Sequence, residues 1–144
     1  MNVLVIHGPN LNLLGTREPE IYGSTTLEQV DAAISSAAEA LGMTVDIHQT
    51  AREGEIIELL HGGIGSVAGA LLNPAAYSHT SRAIAEAVRA VTFPVIEIHL
   101  SNIHAREPWR RRSVTAEAAV GIVSGFGSNS YVLGLRALKG LLDG

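Results

Sequence analysis

The 144-residue chain contains no cysteine. That absence excludes disulfides, thiolate zinc sites, iron–sulfur clusters and cysteine nucleophiles. Aromatics are scarce, with one Trp, three Tyr and two Phe. Aliphatic side chains must therefore fill the interior, as in parallel sheets covered by helices on both faces. Charged residues make up only 17% and the formal net charge is −4, so there is no overall pull toward nucleic acid or anionic membranes. The opening "MNVLVIHGPN" has an apolar run far too short for a signal-peptide core or a membrane span. It reads as a strand, and the protein as cytoplasmic. Dinucleotide glycines are missing between the first strand and first helix, and there is no GxxxxGK[ST] loop. The six histidines show no HExxH and no ligand pair at helical spacing, which predicts neither metal nor cofactor.

What is present is an alternation of short apolar runs and amphipathic stretches within 47% hydrophobic residues. Strands are predicted at 2–6, 44–48, 67–73, 95–100 and 118–125, and helices at 25–42, 53–63, 79–91 and 128–143. Thr25 with Glu28 reads as a capping box and Gly42 as a helix stop. The pattern predicts one α/β domain over residues 1–144. Its fold is a flavodoxin-like, doubly wound five-stranded parallel sheet with helices on both faces.

Ligands of such sheets bind outside the carboxyl ends of the strands, and the unusual residues of this chain collect there. "HGPNLNLLGTREPEIYG" follows the first strand, "NPAAYSHTS" the third, "HLSNIHAREPWRRRS" the fourth and "GFGSNS" the fifth. The last could turn backbone N–H groups toward an anion or simply be a tight turn. Glu97 and His99 stand two apart on a strand and share a side of it. They form either a general acid with its orienting carboxylate or a buried tether of the strand end. Arg17 and Tyr22 share the long polar loop after the first strand. A guanidinium beside a phenol would favour the phenolate as a base, whereas separate packing of the two would be structural. The arginines at 106 and 110–112 suit a small carboxylate or polyol, with some of them pairing structurally. His7, His79, His99 and His104 lie at strand ends, and His48 and His61 read as ordinary surface or structural residues.

Taken together, "GPNLNLLGTREPEIYG", "EGEII", "LLNPAAYSHTS", "IEIHLSNIHAREPWR" and "GFGSNSYVLGLRAL" resemble the type II 3-dehydroquinate dehydratases almost end to end. The resemblance implies reversible dehydration of 3-dehydroquinate to 3-dehydroshikimate through an enolate, with no Schiff base, metal or organic cofactor. It implies Tyr22 as the base, Arg17 as its activator on a mobile loop, and Asn10 as holder of a water on the enolate oxygen. His99 would protonate the departing hydroxyl, oriented by Glu97. Leu100 and Ser101 would hold the substrate carboxylate, and Asn73, His79 and Arg110 the ring hydroxyls and carboxylate. Arg106 would pair with loop carboxylates as the loop closes. Glu86 stands where an Asp of this family reaches into a neighbouring subunit's site. A homododecamer built as a tetramer of trimers is implied, with neither nucleic acid nor membrane as partner.

The chain departs from the family pattern at His7, commonly Asn, and at Ala51, Glu86, Arg111, Arg112, Val114 and Ser130. These departures bear on subunit contacts and substrate affinity, because none removes an implied catalytic group. The alternative from a different functional class is a non-catalytic flavodoxin-like module that binds a small ligand in the same crevice.

Overall fold

In the computed structural model, residues 1–16 and 18–144 are described, Tyr22 by its backbone alone. Strands β1 (Asn2–His7), β2 (Thr44–Gln49), β3 (Gly69–Asn73), β4 (Val95–His99) and β5 (Gly121–Ser124) form one sheet in the order β2-β1-β3-β4-β5. Every pairing is parallel, which is the flavodoxin-like arrangement. Sequence pattern and position agree. Val3, Leu4, Val5 and Ile6 of central β1 are buried on both faces, as an unbroken aliphatic run requires. Edge strand β2 instead alternates exposed and half-buried residues in its first half.

A short helix α1 (Pro19–Tyr22) precedes α2 (Leu27–Ala40), α3 (Glu53–Gly62), α4 (Arg82–Ala90) and α5 (Asn129–Asp143). Val30, Ile34 and Ala38 of α2 and Tyr131, Leu135 and Leu138 of α5 pack with Val3, Val5, Leu71 and Ile98 on one face of the sheet. Ile56 and Leu60 of α3 and Ile84, Ala87 and Val88 of α4 pack with Leu4, Ile6, Ala70 and Leu72 on the other. Alternate residues of each strand thus feed separate cores on the two faces. Gly134 lets α5 sit close to β4, since a Cβ there would lie 2.5 Å from the Ile98 Cδ1 atom.

Several boundaries differ from the sequence reading. The capping box is formed by Thr26 and Gln29 instead of Thr25 and Glu28. Thr26 Oγ1 accepts from the Gln29 N–H at 3.2 Å and the Gln29 amide oxygen from the Thr26 N–H at 3.0 Å. Gly42 does end this helix region, with φ at +71°. Helix α4 begins three residues late because Ser81 caps it, accepting from the Ile84 N–H at 3.0 Å. Residues Ala75–His79 form a separate 3₁₀ turn. Strand β5 is half the predicted length, since the Thr115 and Ala116 carbonyls accept from Ala118 and Ala119 in turns before it. The loop after β1 is partly helical, with Pro19 at the first position of α1, where a missing N–H costs nothing.

β1 and β3 are adjacent, and the chain leaves them in opposite lateral directions, to β2 and to β4. Their carboxyl ends therefore bound the topological switch point. Gly8 makes a close approach possible there, its N–H donating to the Asn73 carbonyl at 2.8 Å. A Cβ on Gly8 would lie 2.8 Å from both the C and O atoms of Pro74 and 2.9 Å from the Asn73 oxygen. These are backbone atoms with no rotamer to yield. Gly8→Ala is accordingly expected to destabilise the fold by about 1–3 kcal/mol, read as a lower urea midpoint. An unchanged midpoint would mean the two strand ends separate freely.

Candidate active site

The carboxyl ends of β1, β3 and β4 enclose a narrow cleft of about 70 Å³. Asn10, Asn73, His79, His99, Leu100, Ser101 and Arg110, all singled out from sequence, line it together with Arg106. A second cavity of about 430 Å³ shares Leu100 and Ser101 with it. Leu14, Ile21 and Gly23 wall that cavity on one side and the turn at Gly125–Gly127 on another. Two non-glycine residues bordering the cleft hold left-handed backbone, Asn10 at φ +71° and Ala75 at φ +52°. Such strain persists only where the surroundings impose it. For Ala75 the constraint is visible, as its N–H donates to Asn73 Oδ1 at 3.1 Å.

His99, at the end of β4, donates Nε2–H to Glu97 Oε2 at 2.7 Å. Glu97 is 1% exposed, and an unpaired carboxylate at such depth would be very costly. It is not unpaired. The Ser113 hydroxyl donates to Oε2 at 2.5 Å and the Thr115 hydroxyl donates to Oε1. Glu97 and His99 share one side of the strand as their spacing requires, and the imidazole's orientation is fixed by a carboxylate that is itself held on both oxygens. Sequence reading passed over Ser113 and Thr115. Their separation of two and their distance from Glu97 carry no motif.

The backbone under the site is pinned by the glycine turn before α5. The Gly125 N–H donates to the His99 carbonyl at 3.3 Å and the Gly127 N–H to the Leu100 carbonyl at 2.9 Å. These amides brace the end of β4 and are not turned to an anion. Ser124 Oγ donates to the Ser101 carbonyl at 2.9 Å, and Arg106 Nη1 donates to the Ser101 hydroxyl at 3.2 Å.

His79 donates Nδ1–H to the Arg112 carbonyl at 2.8 Å, which leaves Nε2 as an acceptor in the neutral ring. Burial, with smaller contributions from His99 and Arg110, holds its pKa below the ordinary 6.5, although the Arg112 carbonyl pulls upward. The ring stacks beside His99, with centroids 6.3 Å apart, and meets Trp109 edge-on at 5.2 Å. Arg110 lies 4.1 Å over the Trp109 ring and donates Nε–H to Glu107 at 3.0 Å, so one guanidinium is both stacked and paired beside the cleft.

Three residues implied by the resemblance are not seen in the cleft. Arg17 lies outside the described residues, as does the side chain of Tyr22. Glu86 is exposed on α4, in a separate groove with Arg82, Arg89 and Arg112. Among the strand-end histidines, His104 is exposed, and His7 is fully buried behind the cleft wall. His48 is a surface residue 3.1 Å from Asp46.

The chain is similar to known proteins in sequence and in fold. The chain is 52% identical to a 3-dehydroquinate dehydratase of Geotalea daltonii over 96% of either chain. It is 53% identical to one of Desulforudis audaxviator, over 99% of this chain and 95% of that one. Among solved structures, the type II dehydroquinase of Butyrivibrio crossotus superposes with a TM-score of 0.94 at 36% identity, covering 96% of this chain and 97% of that one. A 3-dehydroquinate dehydratase-like protein of Bifidobacterium longum superposes with a TM-score of 0.76 at 28% identity, over 100% and 99%. The model of the family described as dehydroquinase class II matches residues 1–139, and with these relatives it establishes that the chain belongs to that family.

Proposed function

We propose that residues 1–144 act as one catalytic domain that dehydrates 3-dehydroquinate to 3-dehydroshikimate through an enolate, in the cytoplasm and within the shikimate pathway. The class of reaction, loss of water by a carbon–oxygen lyase, follows from membership of the family. The division of labour among residues is our reading. It is carried by one observation: Asn10, Asn73, His79, His99, Ser101 and Arg110 converge on a single cleft with Glu97 buried behind His99.

Tyr22 takes the C2 proton, with Arg17 favouring its phenolate electrostatically. Electron density moves onto the C3 carbonyl oxygen, where a water held by Asn10 donates to the enolate. His99 then gives a proton to the C1 hydroxyl, which departs as water while the C1–C2 double bond forms. Glu97 stabilises the imidazolium needed for that transfer. Ser101 and the backbone at Leu100 receive the carboxylate, with Asn73, neutral His79 and Arg110 placing the ring hydroxyls and carboxylate. The segment bearing Ile21 and Gly23 borders the larger cavity, and its closure would exclude water. No step calls on a metal or organic cofactor. We assign Glu86, on the outer face of α4, to a neighbouring subunit's site in a homododecamer of four trimers. Strand β5 supports subunit contact, since Val120, Ile122 and Phe126 along and beside this sheet edge are 60%, 41% and 62% exposed.

Four outcomes are expected. Purified protein mixed with 3-dehydroquinate should generate the absorbance of a conjugated enone. Tyr22→Phe should lower kcat by about 10²–10⁴ with the circular dichroism spectrum intact; near-normal turnover removes Tyr22 as the base. Sedimentation should give a particle twelve times the 15.1 kDa chain mass, and Ile122→Lys should reduce it; a wild-type monomer contradicts the assembly. The fourth outcome concerns His79. Its folded form binds a proton less readily than the unfolded chain, so stability is full above the ordinary 6.5 and falls as the pH drops below it. Unfolding midpoints followed from about pH 8 to about pH 5 should therefore decline less in His79→Asn than in the wild type.

A further inference from the structure

Behind the cleft wall, three side chains that the proposed reaction does not use directly, Asp31, His7 and Tyr131, form a chain that ends on Asn73. His7 ends β1 opposite Asn73, which ends β3. His7 is 0% exposed. Its Nε2 lies 2.7 Å from Asp31 Oδ1 on α2, and its Nδ1 2.7 Å from the Tyr131 hydroxyl on α5. Asn73 Nδ2 donates to the same hydroxyl at 3.0 Å, and Asn73 Oδ1 accepts the Ala75 N–H at 3.1 Å. Of these four residues, Asn73 lines the cleft.

The proton positions follow from what each group can do. A carboxylate only accepts, so in the neutral ring His7 Nε2 carries the hydrogen toward Asp31 and Nδ1 is left with a lone pair. That lone pair takes the Tyr131 hydroxyl hydrogen. Burial drives the Tyr131 pKa upward, so the hydroxyl keeps its hydrogen. With its hydrogen committed to His7, the Tyr131 oxygen can only accept, and the Asn73 group facing it must be NH₂. The Ala75 N–H selects the same orientation from the other side. Asn73 is left with one N–H as its remaining donor. A Tyr131 hydroxyl free to rotate could equally donate to an amide oxygen, and the amide would lose one of the two contacts that set its polarity.

We propose that His7, held by Asp31, is a positioning residue for substrate recognition: by taking the Tyr131 hydroxyl hydrogen it fixes the Asn73 amide with an N–H donor for the substrate. The proposal rests on the reading of this cleft as the 3-dehydroquinate site. Asparagine, which the family pattern commonly has at this position, can also offer an acceptor where His7 has Nδ1, whereas leucine offers none.

The test is a cycle of variants assayed with 3-dehydroquinate, with thermal unfolding followed in parallel. His7→Leu should raise KM about tenfold, the equivalent of one hydrogen bond of about 1.4 kcal/mol, with kcat changed less than about threefold. His7→Asn should return KM to within about threefold of the wild type. In an Asn73→Ala background, His7→Leu should raise KM no further. If His7→Leu lowers the unfolding midpoint but leaves KM alone, or raises KM equally in both backgrounds, the residue is structural and the proposal is overturned. If His7→Leu does not fold, Tyr131→Phe carries the same expectations and the same contrary outcome. Asn73→Ala distinguishes the two levels of the argument. An unchanged KM in that variant removes Asn73 from the substrate site and takes both readings down, whereas a raised KM without any effect of His7→Leu overturns only the role of His7.

Discussion

The register between β1 and β3 governs the rest of the molecule. These two parallel strands end side by side at His7 and Asn73, and the chain leaves them in opposite directions across the sheet. The crevice created there cannot be filled by a crossover helix, because each connection runs away from it. What fills it instead is backbone. Gly8 lies against Asn73 and Pro74 with no room for a side chain, and Asn10 and Ala75 turn left-handed on either side. A shift of either strand by one residue would exchange the two aliphatic cores and would also separate the polar groups that meet at the strand ends.

A second constraint is the disposal of buried charge. Glu97 lies in the middle layer of the protein, where a carboxylate is tolerated only with several donors around it. Two of its three come from Ser113 and Thr115, on the segment that follows the arginine-rich stretch. The Val114 N–H donates to the Ser78 carbonyl at 2.7 Å, beside His79. The arginine-rich loop is thereby anchored at its far end to the groups that orient His99 and support His79. Desolvation of Glu97 is offset by hydroxyls on the same short segment whose Val114 N–H reaches Ser78.

Much of this was legible in the sequence, for identifiable reasons. Aliphatic runs such as "VLVI" and "GALL" can be buried only in a sheet covered on both faces, so the five strands and their parallel order follow from alternation. The spacing of Glu97 and His99 gives their common side directly. Element ends were less legible. Thr25 and Thr26 are both competent caps with an acceptor three residues on, and only the backbone of the actual turn selects Thr26. The late start of α4 reflects Ser81 capping after a 3₁₀ turn that the helical periodicity of 79–91 conceals. The glycine turn before α5 looked as fit for an anion as for packing, and the carbonyls of His99 and Leu100 take up the N–H groups of Gly125 and Gly127. The partners of Glu97, and the link from Asp31 to Asn73, join residues far apart in the chain through tertiary contact alone. No local pattern announces them.

The crowding of rings beside the cleft also has an optical meaning. Trp109 is the single tryptophan of the chain, and it meets the His79 ring at right angles and has the Arg110 guanidinium over its face. Its indole is half exposed, at 53%, so its emission is sensitive both to water and to the charge and distance of these two neighbours. The protein thus carries a native fluorophore at the rim of its own cleft, with no second indole to obscure what it reports.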